Sequence, residues 1–279
     1  MEPLSYLPGL KASALGWIFV FATLTAFELL SPREQQPLRA RLHAIGYWAA
    51  LVPLYFGLSV LLRAALDNLG IEPFFTLSFD ETGWWGSIGA GIAGALFGAM
   101  VHDFFFYWYH RAQHRWLWRW HSVHHSVEHL NALNSYHHIS EPLMSTVMLQ
   151  LPLALVFAHT SPAIPIATTL LGLHVVWIHS PTRATLGPLR AILVDNRYHR
   201  IHHSLEERHF DRNFGAFTTI WDRLFGTEHM PASDEWPAVG LADQAPPAGV
   251  RSWLNLPRKD CDREVGLQPD ALPRPRPGA

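Results

Sequence analysis

Residues 102–125 read HDFFFYWYHRAQHRWLWRWHSVHH, and the placement of histidine within this stretch decides how the rest of the chain is read. On a helix, positions i, i+3 and i+4 share a face. His110-x-x-x-His114 and His121-x-x-His124-His125 therefore each present their imidazoles toward one point. The second pattern recurs far downstream as His199-x-x-His202-His203. One such block is common by chance; three, two of them the same, are not. Imidazole suits Fe, Zn, Cu and Ni, and so many imidazoles exceed what a four-coordinate structural zinc uses. The ligand supply points to two metal ions.

Outward from this stretch the chain has the composition of a membrane protein. Of 279 residues 49% are hydrophobic and 16% charged, with 12 Trp and 16 Phe, a balance suited to a bilayer. Ala12 to Leu30 and Ala44 to Leu62 are long enough for a hydrocarbon core about 30 Å thick. Trp84 to about Tyr109 is a third candidate span, rich in Gly and Ala that let helices approach closely. Leu143 to Ala158 and Ile164 to Ile178 are shorter, with a Pro-rich joint, Ser161 to Pro165, that predicts a tight hairpin. Four or five spans are expected. The first has only Lys11 ahead of it and no small-residue cleavage site after it, and is expected to stay in the mature protein.

Charge placement orients these spans. Arg33, Arg39 and Arg41 follow the first, Arg111, Arg115 and Arg119 the third, and Arg183, Arg190, Arg197 and Arg200 the fifth, whereas Asp67, Glu72, Asp80 and Glu81 occupy a loop with no positive residue. The positive-inside rule puts the histidine blocks on the cytoplasmic face, a reducing compartment that fits the single Cys261. Tyr107 to Tyr109 and Trp116 to Trp120 read as an interfacial aromatic belt, which sets the metal blocks near the membrane surface. The high Arg-to-Lys ratio and abundant Ala suggest a bacterial inner membrane. A net charge of −2 and the lack of a basic stripe argue against a nucleic-acid partner.

The expected fold is all-α: a multi-pass membrane helical protein with a cytoplasmic, histidine-rich di-metal cap. Residues 1–87 form an N-terminal transmembrane hairpin region and 88–229 the histidine-bearing domain with further membrane helices. Residues 230–279, with prolines recurring from Pro231 to Pro277, form a loosely ordered tail whose plausible anchor is Arg251 to Leu256. Asp103 lies two turns before His110 on nearly the same face, and reads either as acceptor for the second ring N–H of a ligand or as a polar residue of a helix interface. His179 closes the fifth span as either an interfacial residue or a ligand, and His102 and His174 are additional metal candidates. His43, His129, His159, His209 and His229 read as ordinary surface or interface histidines.

Together the three blocks, the preceding HDFFFYWYHR, Trp177-Ile178-His179 and the stretch NFGAFTTIWDRLFGTEH from Asn213 to His229 resemble the fatty acid hydroxylase and sterol desaturase superfamily, in the branch that contains alkylglycerol monooxygenase. The resemblance covers roughly Ile88 to His229. It implies a membrane-bound non-haem di-iron oxygenase, with His110, His114, His121, His124, His125, His179, His199, His202 and His203 as ligands. Tyr136 to Glu141 falls where many relatives have Arg-x-His-Pro-x-Glu, so His138 and Glu141 fit, His138 as a possible further ligand and Glu141 beside the site, while Arg and Pro are replaced.

The implied cofactors are two Fe ions, with Zn possible in purified protein. The implied reaction hydroxylates or desaturates a C–H bond of a sterol, fatty acyl chain or ether lipid, using O₂ and electrons from a redox protein or a diffusible reductant. No G-x-G-x-x-G fingerprint appears, so no bound flavin or NAD is expected. A membrane zinc hydrolase is disfavoured because Arg111 stands where H-E-x-x-H would place its glutamate. A haem carrier would need isolated histidines within the bilayer. A non-enzymatic lipid-binding or transport protein on the same fold stays open.

Overall fold

A computed structural model describes residues 7–78, 84–160, 164–242 and 244–246. It is mostly helical. Helices α1 (Leu7–Leu30) and α2 (Leu38–Asn68) are joined by a short segment and pack through a cluster in which Trp48 lies 5.7 Å from Trp17 and 5.0 Å from Phe21 between ring centroids. Elsewhere they expose large apolar side chains such as Leu15, Ile18, Phe19, Leu42 and Leu61, as helices bathed in lipid do. Among the described residues these are the two helices long and apolar enough to cross a membrane.

At the end of α1 the apolar pattern is interrupted by Glu28, which is buried and paired with Arg41 at the start of α2. Its second carboxylate oxygen accepts the Ala132 N–H at 2.8 Å. A buried ion pair is tolerated only when the remaining polar valences are also filled, and here that requirement ties the helical pair to the loop 126–140.

Helix α3 (Trp84–Trp116) has 33 residues, about 50 Å at 1.5 Å per residue. It does not stop near Tyr109 as the hydropathy suggested, and its last turns carry His110 and His114 beyond the length a bilayer needs. Leu117 breaks it, and α4 (Trp118–His125) follows. A further helical run, Glu141–Val156, comprises α5 (Glu141–Ser145), one π-helical stretch (Thr146–Gln150) and α6 (Leu151–Val156). Then come α7 (Ile164–Trp177), α8 (Asn196–His202) and α9 (Ile220–Leu224).

One element departs from the all-helical expectation. Strands β1 (Phe75–Ser78) and β2 (Phe157–Thr160) pair in parallel, Phe75 opposite Phe157. They are the exits of α2 and α6, where backbone groups leaving a helix need partners. Residues 161–163 of the expected Pro-rich hairpin lie outside the described residues.

The segment after His229 is better packed at its start than its proline content suggests. The Trp236 ring is held between the guanidinium groups of Arg33, 4.4 Å from its centroid, and Arg200, at 4.2 Å. Its indole N–H donates to Glu34 at 3.0 Å, and Arg200 donates to both Glu34 oxygens and to the Pro237 carbonyl. This clasp joins the α1–α2 connection, α8 and the strap 231–239. Arg251 to Leu256 lie outside the described residues.

Candidate metal centre

Each histidine block is positioned by an identifiable local device. Asp195 caps α8, accepting the Arg197 and Tyr198 N–H groups at 3.1 and 3.0 Å and the Arg190 guanidinium at 2.7 Å. Such a cap fixes where a seven-residue helix begins, and hence the direction in which His199, His202 and His203 point. The break at Leu117 turns α4 so that its histidines meet those of α3. His179 follows α7 directly, its N–H bonded to the Val176 carbonyl.

Nine buried imidazoles converge, and they do so as two groups. His110, His114, His121, His125 and His202 form one; His124, His179, His199 and His203 form the other, each group with its donor atoms within 4.8 Å of one another. In the first, Nε2 of His121 lies 3.0 Å from that of His110 and 3.2 Å from that of His125. In the second, Nε2 of His199 lies 3.0 Å from that of His179 and 3.2 Å from that of His203.

A block does not serve one point, as helical spacing alone suggested. The i and i+4 members of each His-x-x-His-His go to one group and the i+3 member crosses to the other: His121 and His125 against His124, His199 and His203 against His202. On a helix i+4 lies about 40° from i, whereas i+3 lies about 100° from i+4, which is enough to divide them. Each repeat therefore contributes to both groups and locks them together.

Ring orientation tests whether the donors suit a metal. His124 Nδ1 lies 3.1 Å from the Tyr136 carbonyl and His179 Nδ1 lies 3.0 Å from that of Val175. A carbonyl only accepts, so both rings carry their proton on Nδ1 and both Nε2 atoms are lone pairs. These lone pairs face each other at 3.4 Å, an arrangement that calls for a cation between them. His110 and His202 are held the same way by the Phe214 and Arg212 carbonyls, and His202 Nε2 is buried with no protein partner. This is how ligating imidazoles are usually oriented, and nine nitrogen donors suit two first-row transition ions.

The carboxylates sit one step further out than the sequence suggested. Asp103 touches no imidazole; it accepts the backbone N–H groups of Ala216, Phe217 and Thr218, each at 2.9 Å. Asp222 accepts those of Phe214 and Gly215 at 2.8 and 2.9 Å. Five consecutive N–H groups are thus consumed by two buried carboxylates, which shapes the loop whose Phe214 carbonyl orients His110. Glu141 likewise touches no imidazole but accepts from Tyr109 at 2.7 Å and Gln113 at 2.9 Å, the residues flanking His110 and His114.

The carboxylate that does meet one of the nine rings is Asp211, 3.2 Å from His114 Nδ1, and sequence reasoning missed it. Asp211 and Asn213 both have positive φ, 55° and 60°, a conformation that Asp and Asn tolerate best after Gly, so an Asp-x-Asn pair just past a histidine block was the available signal. His137 was also missed; its ring stacks on that of His124 at 3.8 Å. The additional candidates lie outside both groups: His102 packs beside Phe106, His138 Nδ1 meets Ser140 Oγ at 2.8 Å, and His174 packs against Phe217.

Burial, reinforced by neighbouring imidazoles, holds His121, His124, His125, His199, His202 and His203 well below the ordinary histidine pKa. Burial also lowers His137 to about 3. The rings are neutral at pH 7, as ligation requires. For Asp211 the direction is downward, chiefly through its contact with His114, so it supplies a negative charge at the edge of the five-imidazole group.

Residues 95–227 match the family model described as fatty acid hydroxylase. All nine imidazoles, with Asp103, Glu141, Asp211 and Asp222, lie inside that range. Among curated proteins, the chain is 36% identical over 135 residues to an alkylglycerol monooxygenase of Danio rerio, covering 48% of this chain and 30% of that protein. It is 31% identical over 169 residues to the alkylglycerol monooxygenase of Homo sapiens, covering 60% and 35%. To the ornithine lipid hydroxylase OlsE of Rhizobium tropici it is 31% identical over 184 residues, covering 63% and 54%. The chain thus spans about a third of the monooxygenases and about half of the hydroxylase. No solved structure matches.

Proposed function

We propose, from the premise that residues 95–227 match the fatty acid hydroxylase family model, that this protein is a membrane-bound non-haem di-iron oxygenase that hydroxylates or desaturates a C–H bond of a lipid. The observation that carries the proposal is the pair of imidazole groups whose Nε2 lone pairs face inward while backbone carbonyls hold the Nδ1 protons. His110, His114, His121, His125 and His202 would hold one iron and His124, His179, His199 and His203 the other. When bound, two irons supply the redox chemistry by which O₂ and two external electrons oxidise an unactivated C–H bond.

The chain's own residues bind, orient and exclude. Carbonyls of Tyr136, Val175, Arg212 and Phe214 fix the tautomer of four ligands, and Asp103 and Asp222 hold the loop that provides one of those carbonyls. Burial of all nine rings excludes water from the centre. Neutral imidazoles would leave the charge of two divalent ions uncancelled, so the residues around the centre would enclose a strongly positive site. Electrons come from outside, by a redox protein or a diffusible reductant.

The lipid reading rests on the relatives and on the setting. The relatives' names refer to alkylglycerols and to ornithine lipids, and here an ether lipid or another long-chain lipid is the proposed substrate class. The cap exposes Trp108, Trp116, Ile192 and Leu224 beside the apolar helices, a surface suited to the bilayer edge. We assign the cap and the Arg-rich α1–α2 connection, which bond to each other through Arg33 and Arg183, to the cytoplasmic side of a bacterial inner membrane, with α3 and α7 as further membrane helices.

The test is iron content and lipid turnover of protein purified in detergent after growth in ⁵⁷Fe. Two irons per chain, with a Mössbauer signature of a coupled pair and a +16 mass shift or a loss of two hydrogens in a lipid, is the expected result. Zinc alone, with no turnover after iron reconstitution and supply of a reductant, would overturn the assignment.

A further inference from the structure

Outside the nine-imidazole centre, His209, His229 and Glu235 bring three donor atoms within 4.8 Å of one another. No spacing pattern groups them, since His209 and His229 read as ordinary surface or interface histidines. Yet His209 is 1% exposed. Its Nε2 lies 3.1 Å from Glu235 Oε1, and His229 Nε2 lies 3.5 Å from Glu235 Oε2. The two rings are 4.6 Å apart at 71°, so they converge on one carboxylate from different sides.

We propose that these three residues form a separate mononuclear site for a divalent transition ion, of which Zn²⁺ is the reference case. Two imidazoles and one carboxylate are a ligand set for zinc or ferrous ion, and bonds of 2.0–2.1 Å in a tetrahedron set donors roughly 3.4 Å apart. The 3.5 Å spacing between His229 and Glu235 is long for a hydrogen bond but natural for two ligands of one ion. On the far side of His209, Nδ1 lies 2.8 Å from Ser204 Oγ, which also accepts the Glu206 N–H. That contact orients a ligating ring as carbonyls do in the main centre.

Other groups around the site are accounted for. The Ala232 N–H donates to Glu235 Oε2 and so places its carboxylate. Arg208 donates to Glu235 Oε1 at 2.8 Å; its side chain is 55% exposed and also reaches Glu206, so it leaves the carboxylate on metal binding without stranding a buried charge. His229 is partly open to solvent, which leaves room for a water as fourth ligand.

The position gives the ion a purpose. His209 lies on the connection from α8 to Phe214, whose residues Asp211, Arg212 and Phe214 orient His114, His202 and His110. His229 and Glu235 lie on the strap that follows α9, beyond the residues that match the family model. An ion here staples the strap to the loop that aligns three rings of the five-imidazole group.

The experiment uses the full chain in detergent micelles: metal per chain by mass spectrometry after Zn²⁺ exchange and dialysis, and Co²⁺ titration by its visible bands, for wild type, His229→Gln and Glu235→Gln. Each variant is expected to bind one ion fewer per chain than wild type, whatever number the nine-imidazole centre holds. That difference separates this site from the main one, since a metal-free main centre would leave a count of one that falls to zero. Equal counts in wild type and His229→Gln overturn the proposal. So does a wild-type chain that takes up no Zn²⁺ or Co²⁺ at all, a result that needs no variant to fold.

Discussion

The five-imidazole and four-imidazole groups draw on the same helices but are anchored differently. In the five-member group, His114, His202 and His110 are oriented by Asp211, Arg212 and Phe214 in turn, so one short loop controls three rings. In the four-member group, His179 bonds to Val175 in the helix that precedes it and His124 to Tyr136 on a separate loop. One group therefore has a ligand to spare and a single point of failure. The other has no ligand to spare and two independent supports. Ligand count and loop integrity should control the two ions separately.

The largest effect should separate the groups by ligand loss. His124→Ala leaves three imidazoles and is expected to lose one iron per chain and all lipid turnover, whereas His202→Ala leaves four and retains both irons with reduced activity. Equal iron loss in the two variants, read by metal analysis and Mössbauer spectroscopy, would break the comparison.

Acid should act next, on both groups but unequally. The buried rings have pKa values held down, so the unfolded chain binds protons that the folded metal-free cap refuses. Stability is fully present above the unfolded histidine pKa of about 6.5 and is lost as pH falls below it. At one unit below, each ring that stays neutral costs about 1.4 kcal/mol. Metal-free protein is therefore expected to melt at markedly lower temperature at pH 5.5 than at 7.5, and a flat Tm over that range contradicts the prediction. In loaded protein the ion of the four-imidazole group should leave first as pH is lowered.

Loop lesions should reach the five-member group alone. A Cβ on Gly215 would lie 2.4 Å from the Thr218 carbonyl oxygen and 3.1 Å from Asp222, so Gly215→Ala must displace the loop. The expected cost is about 1–3 kcal/mol, with loss of iron from the five-member site only; equal loss from both sites argues against separate anchoring. The smallest effect is Asp211→Asn, which keeps the shape and removes the charge beside His114. It is expected to weaken that ion by roughly 10-fold, the low end for such partners because the Asp211 side chain is 57% exposed. Competition with a chelator would measure it, and an unchanged affinity would remove Asp211 from the site.

Much of this architecture is readable in the residues, for reasons that also explain what is not. Helical spacing within a block is local, so His110 and His114, or His121 and His125, can be paired on sight. The crossing of His124 and His202 depends on how α4 and α8 approach, which no local pattern encodes. Asp103 was noticed because it lies two turns from His110, but its carboxylate follows the backbone N–H groups of residues 216–218, more than a hundred positions away. Asp211 sits in a left-handed turn whose only trace is its residue type. The aromatic and arginine content around Trp236 read as composition, and its place between two guanidinium groups required three distant segments to meet. Glu235 and His209, 26 positions apart, carried no spacing signal.

The loop from Asp211 to Thr218 also has a consequence for biogenesis. The last ligand to leave the ribosome is His203, yet the acceptors that orient His110, His114 and His202, and the Asp222 side chain that secures them, follow 8 to 19 residues later. A nascent chain ending at His203 has every ligand and no means of aiming three of them. Under the proposed assignment, an ion would be held firmly only once residues 211–222 have been made, and one that arrives earlier meets rings with little to aim them.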